Sequence, residues 1–76
     1  MKKMKNIKTE KKTIGELMPV VDELNEVHGY TIHIIGNQVD FHDEDGNSMF
    51  GFSDAPTLTK AIQMRIIQLL EIINSK

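Results

Sequence analysis

The stretch Tyr30-Thr-Ile-His-Ile-Ile-Gly-Asn-Gln-Val-Asp-Phe-His-Asp-Glu-Asp-Gly-Asn-Ser-Met-Phe-Gly-Phe52 alternates apolar and polar residues around two short turn signals, the pattern of strands that bury one face. Gly36-Asn37 is a candidate two-residue hairpin turn. Because partners across a hairpin sum to a constant, it pairs Ile35 with Gln38, Ile34 with Val39, His33 with Asp40, Ile32 with Phe41 and Thr31 with His42. Asp45-Gly46 is the stronger candidate, since Asp-Gly suits the positive φ angles of a type I′ turn. It pairs His42 with Met49, Phe41 with Phe50, Asp40 with Gly51 and Val39 with Phe52. Side chains alternate faces, so both turns independently assign Ile32, Ile34, Val39, Phe41, Phe50 and Phe52 to one face. Thr31, His33, Ile35, Gln38, Asp40, His42, Met49 and Gly51 then form the other, a mixed surface of the kind an open antiparallel sheet leaves to water.

A helix is expected on either side of these strands. Thr13-Ile-Gly-Glu16 has the form of a capping box, and Ile14, Leu17, Val21 and Leu24 recur at helical spacing before Gly29 stops the run. Pro19 predicts a bend or a late start, because an interior proline lacks an amide and crowds the carbonyl of Gly15. After the strands, Ser53 or Asp54 can cap a helix with Pro56 in its first turn. Leu58, Ala61, Ile62, Ile66, Leu69, Leu70, Ile72 and Ile73 cover one arc of that helix, while Met64 and Ile67 fall outside it. The expected fold is α+β: a two-layer α-β-β-β-α domain over residues 13–76, its helices packed on one face of a three-stranded antiparallel meander.

With 76 residues, a chain of this size buries only about 60% of the surface it exposes when unfolded. Small domains without disulfides or metals commonly add stability by associating, and this one has no cysteine. That excludes disulfide staples, thiolate metal sites and cysteine nucleophiles, and it fits a reducing cytoplasm. No stretch reads as a signal peptide or membrane span. Charge is divided unevenly. Six of the nine basic residues, Lys2, Lys3, Lys5, Lys8, Lys11 and Lys12, precede position 13, so residues 1–12 are expected to form a basic, flexible arm. From Thr13 onward three basic residues face ten acidic ones, a balance of −7 that disfavours a phosphate backbone.

Three groupings could carry chemistry. The derived register sets His33 across from Asp40 and diagonal to His42, which makes these three candidate ligands for an open zinc site. Asp43-Glu44-Asp45-Gly46-Asn47 resembles a calcium loop only superficially, because placing Gly46 at the sixth position puts Phe41 and Phe52 where ligands belong. Ser48 and Ser53 have no Gly-x-Ser-x-Gly context, and so small a fold has little room for a catalytic cleft. No cofactor motif is present.

The sequence therefore predicts a non-enzymatic protein-binding module of regulator or inhibitor type, a style of chain found among phage and mobile-element products. Its expected form is a homodimer joined through the C-terminal helix or the exposed sheet face, with Met64, Ile67, Ile35, His33 and Met49 as contact residues. One alternative is an acidic decoy that mimics nucleic acid for a DNA- or RNA-binding protein. Another is direct nucleic-acid binding through the lysine-rich start.

Overall fold

The computed structural model describes residues 12–75, so residues 1–11 of the expected basic arm lie outside the described residues. The order of elements is α1 (Ile14–His28), β1 (Thr31–Ile35), β2 (Gln38–His42) and α2 (Leu58–Asn74), an α+β arrangement. The described residues form a two-stranded antiparallel sheet.

Helix α1 starts where the capping box predicts. The Thr13 hydroxyl accepts from the Glu16 amide, and the Glu16 carboxylate takes the Thr13 amide at 3.0 Å. Pro19 is accommodated inside the helix and does not delay its start. The Gly29 amide then turns back to the carbonyls of Asn25 and Leu24 and ends the helix. Leu17, Val21 and Leu24 are its buried residues.

Strands β1 and β2 pair in the register set by Gly36-Asn37, from Thr31 opposite His42 to Ile35 opposite Gln38. Gly36 has φ 59° while Asn37 has a negative φ, the combination found in a type II′ turn. Val39 and Phe41 are buried, and Ile32 packs against the same cluster. That cluster joins Leu17, Val21 and Leu24 of α1 to Ala61, Ile62, Ile66, Leu69, Leu70 and Ile73 of α2. Burial of each large member contributes about 1.5–3 kcal/mol.

The third strand is where the structure departs from the expected meander. The second turn closes through a longer loop than Asp45-Gly46 alone: the Gly46 amide reaches the Asp43 carbonyl and the Asp43 amide reaches the Asn47 carbonyl, both at 3.0 Å. Asp43 Oδ1 also accepts the Asp45 and Asn47 amides. Gly46, at φ 84°, takes the left-handed position that follows a type I turn in three-residue hairpin loops. The partner sum falls by one, so His42 bridges Ser48 and the Met49 amide bonds the Phe41 carbonyl. A one-residue slip exchanges faces, and Met49, expected outside, packs against the core. Beyond Met49 the chain leaves the ladder. Phe50 still packs against the core, but Phe52 is 40% exposed.

Helix α2 also begins later than Ser53 or Asp54 would allow. Thr57 is the cap, its hydroxyl accepting from the Lys60 amide, and Pro56 precedes the helix. At the other end of the described chain, the Lys12 carbonyl accepts from Gln63 Nε2 at 2.9 Å.

Candidate interaction surface

Asp40 was expected on the solvated face, yet its residue exposure is 1%. The segment that should have been a strand covers it instead. Asp40 Oδ1 accepts the amides of Phe50 at 3.0 Å and Gly51 at 3.1 Å, and Oδ2 accepts the Ser48 hydroxyl. Burial pushes the Asp40 carboxyl up. The hydrogen bonds from Ser48 and from the amides of Phe50, Gly51 and Phe41 outweigh that effect, and the group sits below the usual aspartate value.

Arg65 of α2 holds the same segment from the other side. Its Nε donates to the Val39 carbonyl at 2.7 Å, and Nη2 donates to the Gly51 carbonyl and the Ser53 hydroxyl. Nη1 donates to Gln68 Oε1, and the guanidinium lies 5.1 Å from the Phe50 ring centre, within cation–π range. Gly51 thus gives its amide to a buried anion and its carbonyl to a buried cation. The Val39 carbonyl is the group a continuing third strand would have used, and Arg65 takes it. No motif surrounds Arg65 in the sequence, and the signal that marks it is its place as a lone cation on the apolar arc of Ile62, Ile66 and Leu69.

On the outer face of the hairpin, the His33 and His42 rings stack with centroids 3.8 Å apart and planes 25° from parallel. His42 Nε2 is 3.3 Å from Asp40 Oδ2. The structure brings together all three residues predicted as zinc ligands, but Asp40 spends its oxygens on Ser48, Phe50 and Gly51. Nearly parallel imidazoles also direct their lone pairs side by side, away from any common point. Among the described residues no group of three His, Cys, Asp or Glu could hold a metal ion. Ser48, Asp40 and His42 meet with the carboxylate in the middle, so the hydroxyl faces a carboxylate where a nucleophile would need an imidazole.

The five predicted contact residues do not form one patch. His33 and Ile35 share the outer face of β1, where Ile35 is 61% exposed. Ile34, on the opposite face, is 43% exposed. Met64 of α2, also 43% exposed, borders a shallow depression with Ala55, Ala61 and Val39. Ile67 is half-buried, and Met49 turns inward.

Elsewhere, the end of α1, the second turn, Met49 and Ile73 enclose an open cavity of about 570 Å³. Glu26, Asp43, Glu44 and Asp45 line it, and so does His28, whose Nε2 is buried without a hydrogen-bond partner among the described residues. The carbonyl end of α1 adds a partial negative charge. No protein family, curated protein or solved structure matches the chain. No described helix is long and apolar enough to cross a membrane.

Proposed function

We propose that this chain is a non-enzymatic protein-binding module of regulator or inhibitor type that acts as a homodimer, with the exposed strand β1 as its contact surface. The observation that carries this reading is β1. Four of its five residues are exposed, two of them isoleucines, and none is a lysine, arginine, aspartate or glutamate. Apolar surface of that kind on a small domain marks interaction sites, and a neutral strand gives an acidic body a place to meet another protein without charge repulsion. Helix α2 is the weaker candidate, because Ile67 is already partly covered and Met64 stands alone. The lack of cysteine suits action in the reducing cytoplasm.

Sedimentation of the intact chain tests the proposal, with Ile35→Asp and Ile67→Asp as variants. Self-association lost with Ile35→Asp and kept with Ile67→Asp is the expected result. The reverse would move the contact to α2, and a strict monomer at every concentration would sink the homodimer.

The acidic cavity favours a second reading, a decoy for a nucleic-acid-binding protein in which Glu26, Asp43, Glu44 and Asp45 stand in for phosphates. Charge reversal at Glu44 and Asp45 should then weaken capture of a basic partner. Unchanged capture would leave those acids a solubilising role.

A further inference from the structure

We infer that β1 pairs through its free edge with β1 of a second copy, antiparallel about a two-fold axis at His33, making one four-stranded sheet from two hairpins; this rests on the homodimer reading above. The parity of the backbone groups fixes which residues take part. A two-residue turn makes its flanking residues, Ile35 and Gln38, a hydrogen-bonded pair, and such pairs alternate along the ladder. His33 with Asp40 and Thr31 with His42 are therefore hydrogen-bonded as well, while Val39 and Phe41 point their main-chain groups away from β1. An independent observation agrees: the Val39 carbonyl meets Arg65 and the Phe41 carbonyl meets the Met49 amide. Their partners Ile34 and Ile32 must then point their amides and carbonyls away from β2, to the open edge.

Among the described residues that edge has none of the usual defences. Sheet proteins blunt edge strands with lysine, proline, bulges or a covering element. The residues Thr31-Ile-His-Ile-Ile35 include no lysine, arginine, aspartate, glutamate or proline, and they pair with β2 residue for residue. Among the described residues the strand has one partner, β2. The other edge of the sheet is closed by Met49 and Arg65, so of the two edges that the described residues form, β1 is the one that can accept another strand.

The occupant follows from self-complementarity and charge. An axis at His33, the middle of the strand, pairs Ile32 with Ile34 of the second copy and Ile34 with its Ile32, and uses all five residues. Each of those pairs exchanges two main-chain hydrogen bonds. Directly opposed side chains share a face, so half-exposed Ile34 gains Ile32 of the second copy as an apolar neighbour. The axis sets His33 against His33 of the second copy, and no lysine, arginine, aspartate or glutamate of β1 meets another across it. A dyad contact of this kind closes at two copies and does not propagate.

Amide exchange of the intact chain, measured dilute and concentrated beside sedimentation, tests the parity directly. Expected are slow exchange at His33 and Ile35 under both conditions, and a slowing of roughly tenfold or more at Ile32 and Ile34 only when the dimer forms. Ile34→Pro should abolish the dimer and leave the hairpin intact, since the amide it removes faces outward and proline is tolerated at such edge positions. Ile34→Val should dimerise normally. A dimer with freely exchanging Ile32 and Ile34 amides would overturn the inference, as would an Ile34→Pro protein that still dimerises. If Ile35→Asp then still breaks that dimer, the homodimer reading survives without the edge pairing. A chain that stays monomeric overturns both.

Discussion

Asp40 and Arg65 put opposite charges inside a small domain without touching each other, and each is paired with backbone that it holds in place. Replacing Asp40 with alanine leaves the Phe50 and Gly51 amides and the Ser48 hydroxyl without their acceptor, at a cost of about 3 kcal/mol. Asp40→Asn keeps one oxygen for the two amides and can donate to Ser48, so it should lose less; urea midpoints of the two variants check the order. The pH dependence follows from the lowered Asp40 carboxyl. A depressed folded-state value means the unfolded chain binds the proton more readily, so this contribution is complete above the ordinary aspartate value and is lost as pH falls through the folded one. Asp40→Asn should therefore flatten the acid limb of a stability–pH curve, and an unaltered limb would contradict the assignment. Arg65→Lys cannot reproduce a fork that reaches the Val39 and Gly51 carbonyls and the Ser53 hydroxyl together. A loss of about 2 kcal/mol in thermal or urea unfolding is expected.

The two turns show which parts of an element are legible from sequence. Gly36-Asn37 gave the pairing of β1 and β2 directly, because a two-residue loop leaves one register and the alternation of Val39 and Phe41 with Asp40 agrees with it. Asp45-Gly46 misled by one residue. The Asp43 side chain captures the Asp45 and Asn47 amides and widens the loop, a competition that a turn dipeptide cannot reveal. The third strand failed for a long-range reason, since Arg65 comes from α2 and occupies the Val39 carbonyl across 26 positions. The capping box of α1 was legible because it is local. Thr13→Ala should cost about 1 kcal/mol, read by urea denaturation with helix content as the signal. The Thr13 amide and hydroxyl hold the Glu16 carboxyl below its usual value; Thr13→Ala removes the hydroxyl and keeps the amide, so an NMR titration should show the carboxyl moved only part of the way back up.

At the scale of the molecule, charge separates the two ways this chain could meet a partner. The body from Thr13 onward carries a balance of −7, and the lysine-rich start offsets most of it. Two copies meeting at β1 join strands that hold no lysine, arginine, aspartate or glutamate, while their acidic bodies repel through solvent. Screening of exposed charges sets in beyond about 10 Å at 0.1 M salt, so added salt removes repulsion and leaves the main-chain pairing intact. The dimer constant should hold steady or tighten between about 0.05 M and about 0.5 M salt, a range across which the Debye length shrinks several-fold. A contact built on Glu26, Asp43, Glu44 and Asp45 meeting lysines would behave in the opposite sense, because its attraction is the quantity screened. Sedimentation equilibrium at the two salt levels distinguishes them. A dimer that dissolves on adding salt would place the junction at the acidic cavity, and β1 would then be an open edge with no role in assembly.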